Sequence, residues 1–228
     1  MTLQKNLLSC TDVTKEFQTD GTMVKALRGI NFYLNADELV MLMGPSGSGK
    51  TTLLSVIATL LKQTSGSCQL LGQEVSKFTE AEASQFRREN IGFIFQSYLL
   101  VPALTALENA IIPLLLEGVP EQEAKARGIA LFEKVGMKDK IDRLPRQLSG
   151  GEQQRVSIVR GLIHNPKILL CDEPTSALDH ETGVLIMQLL KDLQRETGCG
   201  LIIVTHDTRI LSFADRICHI EDGHLVNE

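Results

Sequence analysis

Gly44-Pro45-Ser46-Gly47-Ser48-Gly49-Lys50-Thr51 decides the fold of this 228-residue chain. The segment fits G-x-x-x-x-G-K-[ST], and its flanks agree with that pattern. Before it, Leu39 to Met43 is a short, wholly apolar run, as a buried parallel strand makes. After it, Thr51 to Leu61 reads as a helix stopped by Gln63-Thr64-Ser65-Gly66. Glycines let the backbone curl so that successive N–H groups face phosphate oxygens, and the helix behind adds its free amides and positive dipole end. Lys50 supplies a point charge for the β- and γ-phosphates, and the Thr51 hydroxyl is placed to ligate Mg²⁺. The nucleotide contacts expected here are Gly44, Pro45, Ser46, Gly47, Ser48, Gly49, Lys50, Thr51 and Thr52.

Outward from this loop the periodicity changes character. Leu7 to Val13 and Leu27 to Leu34 alternate like half-buried strands, with a Gln18-Thr19-Asp20-Gly21 turn between them. Ile91 to Phe95 is a further strand candidate. From Thr105 to Leu162 strand signals largely vanish: Thr105 to Leu116 and Glu121 to Val135 have helical spacing, and Gln147 to His164 holds a third helix. Strands return at Ile168 to Cys171 and Leu201 to Thr205, separated by a helix from Glu181 to Glu196. Ile217 to Ile220 and His224 to Val226 flank Asp222-Gly223 as a closing hairpin. The pattern predicts a parallel sheet covered on both faces, interrupted by a helical lobe.

Composition narrows the function classes. With 43% hydrophobic and 22% charged residues the chain is an ordinary globular protein. Its 23 Lys and Arg against 28 Asp and Glu leave a net charge of −5, which argues against nucleic acid as a partner held by bulk charge. The longest uncharged run, Asn90 to Leu107, is broken by Asn90, Gly92, Gln96 and Pro102, so no helix there spans a bilayer. Met1 to Asn6 carries no secretory pattern, which predicts a cytoplasmic protein. The five cysteines are scattered without a C-x-x-C pair, as expected of reduced, buried thiols.

Acidic and imidazole groups stand at other strand ends. Asp172 closes the strand Ile168 to Cys171, where it can hold the Mg²⁺ shell, and Glu173 can face water beyond the γ-phosphate. His206 follows Thr205 in the same way. Leu148-Ser149-Gly150-Gly151-Glu152-Gln153-Gln154-Arg155 contains a Ser149/Glu152 capping box that starts a helix. A cap does not need Gly150-Gly151, and each glycine costs helix stability. Paired glycines fit a helix start that something must approach closely, with phosphate the natural candidate.

Together, the phosphate loop, Gln96 after a strand, the Leu148 to Arg155 segment, Leu170-Cys171-Asp172-Glu173-Pro174, Ser176-Ala177-Leu178-Asp179 and His206 resemble an ATP-binding cassette (ABC) ATPase over essentially the whole chain. The resemblance implies an α/β P-loop NTPase fold: a RecA-like parallel core, an antiparallel β subdomain and an inserted α-helical subdomain. One ABC ATPase domain would span 1–228, with 1–95 and 160–228 as the nucleotide-binding core and 96–159 as the insert. It further implies a head-to-tail homodimer holding two ATP with Mg²⁺. Ser149, Gly150, Gly151 and Glu152 of one subunit would then close on the phosphates bound by the other.

By position, Phe17 would stack on adenine; Thr51, Gln96 and Asp172 would serve the metal; Glu173 would polarise the attacking water; His206 would hold the γ-phosphate; and Asp179 would communicate across the dimer. Leu104-Thr105-Ala106-Leu107-Glu108-Asn109, with Pro113-Leu114 and the stretch Phe78 to Arg88, is similar to the lipoprotein-releasing and macrolide-exporting group. The apolar segment Ser97 to Leu104 suits a surface that receives a helix from a membrane subunit. The expected function is the ATPase of a transporter whose permease, with a large extracytoplasmic domain, is a separate chain, sited on the cytoplasmic face of the inner membrane. Transmembrane signalling without transport is the alternative, and a soluble cassette in DNA repair, translation or iron–sulfur assembly is the more distant one.

Overall fold

The computed structural model describes residues 6–19 and 22–227. Met1 to Lys5, and Asp20 and Gly21 of the expected turn, lie outside them. Strand β1 (Asn6–Thr19) pairs antiparallel with β2 (Thr22–Asn35) as far as Thr19 opposite Thr22. β3 (Leu39–Met43) is buried at every position and leads through the glycine loop into α1 (Lys50–Ile57). β4 (Ser65–Leu70), β5 (Gln73–Glu74) and α2 (Glu80–Asn90) follow, then β6 (Ile91–Ile94). Helices α3 (Ala106–Leu116), α4 (Glu121–Lys134) and α5 (Gly150–Leu162) form the strand-free middle. The chain closes with β7 (Ile168–Asp172), α6 (His180–Thr197), β8 (Gly200–Val204), β9 (Arg216–Glu221) and β10 (His224–Asn227).

Two sheets result. One runs β2-β1-β4-β5 and is antiparallel. The other runs β10-β9-β3-β8-β7-β6, parallel except for the edge strand β10. Side chains alternate across a strand, and the core divides accordingly. Leu39, Met41, Leu169, Cys171, Leu201 and Ile203 face the cluster that holds Ala110, Phe132, Val159 and Leu190 from the helices. Val40, Leu42, Leu170, Ile202 and Val204 face the opposite cluster, with Leu53 and Ile57 of α1 and Leu8, Ile30 and Leu70 of the antiparallel sheet. Burial on both faces is why these strands are apolar throughout.

β4 starts inside Ser65-Gly66, which the sequence reads only as a helix stop; Cys68 and Leu70 alternate inward and pair with Cys10 and Leu8. Gly66 is required there because a Cβ would stand 2.2 Å from the Asp12 carbonyl oxygen. The first helix ends at Ile57 rather than Leu61: Thr59 turns left-handed (φ 54), and its carbonyl accepts from Arg87 at 2.5 Å. The third helix, held within Gln147 to His164, begins at Gly150 with Ser149 as its N-cap, as the Ser149/Glu152 capping box predicts, and Pro145–Gln147 forms a separate turn. All five cysteines are buried, as expected. Among the described residues no helix is long and apolar enough to cross a membrane.

Candidate active site at the ends of the parallel strands

Gly44 directly follows β3, Gln96 lies just past β6, Asp172 ends β7, and His206 lies just past β8. Ligands collect at this edge of an α/β sheet because loops diverge there and helix N-termini converge. These residues line one cavity of about 660 Å³ together with Pro45, Ser46, Gly47, Gly49, Lys50, Thr51, Thr52 and Glu173. Ala26 and Val204 also line it, neither singled out from sequence. Ser48 is buried beneath the loop and donates its N–H to Pro45 O at 3.3 Å.

The loop conformation is one glycine alone tolerates. Gly44 has φ 149, and a Cβ on it would lie 2.0 Å from Ile220 O. Gly49, the N-cap of α1, is left-handed, and no side chain bonds to the first amides of this helix. Its orphan N–H groups therefore face the cavity as an anion site. Lys50 Nζ donates to Gly44 O and Pro45 O, both at 2.7 Å. Burial lowers its pKa, against the pull of Glu173 and Asp172. Asp172 is shifted the other way: burial and then the Glu173 charge raise its carboxyl, while Lys50 opposes them.

Glu173 is held in a strained position. It is a non-glycine residue at φ 51, a conformation that costs roughly 1–3 kcal/mol and persists only where neighbours over-determine it. Its N–H donates to Val204 O at 2.9 Å, and its carbonyl accepts from the Ser176 hydroxyl at 3.0 Å. Its Oε1 lies 2.7 Å from His206 Nδ1, whereas its buried Oε2 has no partner among the described residues. A buried carboxylate oxygen pays for lost hydration unless something bonds to it, so Oε2 is an acceptor waiting for a donor. The hydroxyl of Thr51, the amide of Gln96 and the carboxylate of Asp172 are hard oxygen donors around the same space, the chemistry Mg²⁺ selects. Among the described residues no three His, Cys, Asp or Glu could hold a metal alone.

Other expected site residues lie elsewhere. Phe17 does not line the cavity; it sits on β1 opposite Val24 with Lys15 Nζ 5.1 Å from its ring centre. Ser149 and Glu152 form the capping box, Ser149 N–H donating to Glu152 Oε2 at 2.8 Å and Glu152 N–H to Ser149 Oγ at 3.3 Å. Gly150 and Gly151 also have a reason within the chain. A Cβ on the first would meet the Tyr98 hydroxyl at 3.1 Å, and on the second a Thr182 methyl at 2.7 Å. Asp179 caps α6, accepting from Thr182 N–H at 3.0 Å and Thr182 Oγ1 at 2.7 Å. The Thr105 to Asn109 motif is structural in the same sense: Thr105 and Glu108 box the start of α3. Buried Asn109 accepts from Val101 N–H at 2.7 Å and donates to Leu104 O at 3.0 Å.

A second, largely apolar groove of about 280 Å³ lies beside β6, lined by Leu60, Phe93, Phe95 and Leu116 and also by Arg87, Arg88, Arg160 and His164. Leu60 and Leu116 are exposed.

Comparison with known proteins matches this architecture. A family described as ABC transporter matches residues 27–176. The lipoprotein-releasing system ATP-binding protein LolD of Geobacter metallireducens is 41% identical over 97% of this chain and 98% of that protein. The macrolide export ATP-binding/permease protein MacB of Vibrio parahaemolyticus is 41% identical over 96% of this chain, which spans 34% of MacB. Both belong to the group the sequence resembles. The dimeric post-hydrolysis structure of the ATP-binding cassette MJ0796 bound to ADP and Pi, from Methanocaldococcus jannaschii, has a TM-score of 0.89 at 38% identity, covering 97% of each chain. This chain belongs to the ABC transporter family and is an ATP-hydrolysing cassette of that type.

Proposed function

We propose that this cassette works as a head-to-tail homodimer, binding two MgATP and powering a separate membrane permease that exports or extrudes a lipid-linked or hydrophobic substrate. The observation that carries the reading is the pairing of a phosphate cavity with a largely apolar groove that arginines also line, on either side of the segment that begins at Phe95 and Gln96. The dimeric MJ0796 structures and the full-length similarity to LolD support it.

In this reading the loop amides from Gly44 to Thr52 and the Lys50 ammonium bind the phosphates, while Phe17 stacks on the adenine. Thr51, Asp172 and Gln96 would hold Mg²⁺, which when bound neutralises charge on the phosphate oxygens. Glu173 orients the attacking water through Oε2, with His206 on Oε1 fixing the carboxylate and presenting its other nitrogen to the γ-phosphate. Catalysis is positioning and charge stabilisation more than covalent chemistry. Ser149 to Glu152 of the second copy complete the site, Asp179 links the two sites, and 96–159 moves as an insert against the core formed by 1–95 and 160–228.

The groove takes a short amphipathic helix from the permease, whose large domain is extracytoplasmic, and the cassette sits on the cytoplasmic face of the membrane. Its apolar walls fit the helix's buried face. Exposed Arg88, which pairs with no carboxylate among the described residues, calls for an acidic residue at that helix's edge. The test is purification of the full chain with detergent-extracted membranes. The expected result is a polytopic membrane protein with a large extracytoplasmic domain that co-purifies, raises ATP turnover and is lost on Leu116→Glu. Retention of the same partner by Leu116→Glu, or a complex with nucleic acid in its place, would contradict the reading.

A further inference from the structure

We propose that Arg160 is a positioning residue for hydrolysis, clamping the turn after Gln96 so that occupancy of the apolar groove is felt at the phosphate cavity. The inference rests on the role proposed above for Gln96 and assigns the part that holds it.

The turn is intrinsically unfavourable. Tyr98 (φ 58) and Leu99 (φ 47) are consecutive non-glycine residues in the left-handed region, where the Cβ crowds its own carbonyl. Local bonds alone hold it weakly: Tyr98 N–H reaches Phe95 O at 3.2 Å, and Leu99 N–H reaches Ser97 O at 2.6 Å. What offsets the strain comes from far along the chain. The Arg160 guanidinium donates to Leu99 O at 2.6 Å and to Tyr98 O at 2.5 Å, so one planar fork grips the carbonyls of both strained residues.

Arg160 makes no ion pair among the described residues; its remaining contact is with Ser157 Oγ at 3.5 Å. Burial lowers its pKa, the mark of a cation withdrawn from water without a carboxylate to compensate. An unpaired, half-buried cation held on two backbone carbonyls is a poor stability device. It is a good geometric one, because five donors in a rigid fork fix direction as well as distance.

The position of the clamp gives it a function. Arg160 and Phe95 line the groove, Gln96 lines the phosphate cavity, and the clamped turn begins two residues later. The same turn carries the Tyr98 hydroxyl up to the first residue of α5, close enough that a Cβ on Gly150 would meet it at 3.1 Å. A helix seated in the groove would press on Arg160 and Phe95, and the clamp would pass that displacement to Gln96 on one side and to the Ser149 helix start on the other.

The test is a double-mutant cycle on ATP turnover by the full chain, with Arg160→Gln, Gln96→Ala and both together. If Arg160 acts through Gln96, Arg160→Gln lowers kcat by ~10–100-fold, the cost of misplacing a catalytic group by about an ångström, with KM for ATP within about twofold. Added to Gln96→Ala, it then takes nothing further. A residue with a merely structural role would multiply its loss onto that of Gln96→Ala. Arg160→Lys keeps the charge and the stem but loses the fork, so the same cycle runs on it if the glutamine variant does not fold, with the same result expected. Unchanged kcat in the Arg160 variants, or losses that multiply, overturns the inference and leaves the role of Gln96 intact. Full activity in Gln96→Ala alone overturns both.

Discussion

Two helix beginnings in this chain are built in opposite ways. α1 opens on a left-handed glycine, with no side chain on its first amides and no acidic residue in its first turn. α5 opens on Ser149, whose hydroxyl and backbone are bonded reciprocally with Glu152. The first is a preformed anion site, completed by a lysine on the loop's own carbonyls. The second is satisfied by itself and carries a carboxylate where phosphate would come. Hence α1 can bind nucleotide from within one chain, whereas α5 has little pull of its own and, in the proposed dimer, would supply the second half of a site.

The largest effect that can break this comparison is at α1. Lys50→Ala should weaken ATP binding by ~10–100-fold, the worth of a charge-assisted hydrogen-bond set, and abolish measurable turnover. Binding within about threefold of the parent, by calorimetry, would mean that the bare amides suffice. At α5 the expected outcome differs in kind. Ser149→Ala removes an N-cap worth about 1 kcal/mol, which lowers the melting temperature by ~2–4 °C in a chain of this size. It should leave ATP affinity of the single chain unchanged while slowing turnover. Weakened ATP binding at protein concentrations where the chain is monomeric would show that α5 already contributes within one chain.

A smaller effect sharpens the account of the cavity itself. Burial raises the Asp172 pKa. Because the folded value lies above the unfolded one, ionisation disfavours the fold: not at all below the unfolded pKa, and in full above the folded one. Without nucleotide, Asp172→Asn should therefore melt with the parent in acid and above it as pH rises out of the ordinary aspartate range. A melting difference that stays constant with pH would place the effect outside this carboxyl.

How much of this was legible in the sequence depended on the range of the interactions. β3, its loop and α1 follow from local rules, since a wholly apolar strand, positive-φ glycines and a helix start are each written in a few consecutive residues. Asp172, Glu173 and His206 were readable because strand ends of one parallel sheet collect at one edge, whereas Gln96 entered through the family resemblance. β4 was not, because Ser65-Gly66-Ser67 has turn composition, and the need for Gly66 arises from the Asp12 backbone on a neighbouring strand. Arg160 left no local signal, as its partners lie 61 and 62 residues away. Thr105, Glu108 and Asn109 were visible as a motif, yet the structure shows them at work on a helix start and the loop before it.

The central claim is that the α1 site of one copy is closed by the α5 start of another. It is tested most directly by light scattering of Glu173→Gln with ATP and Mg²⁺, where loss of the water-orienting carboxylate slows hydrolysis by ~10²–10⁴-fold and lets the closed state accumulate. The account predicts a dimer holding two nucleotides, which Ser149→Arg returns to monomer. A chain that stays monomeric, or a dimer indifferent to Ser149→Arg, would contradict it.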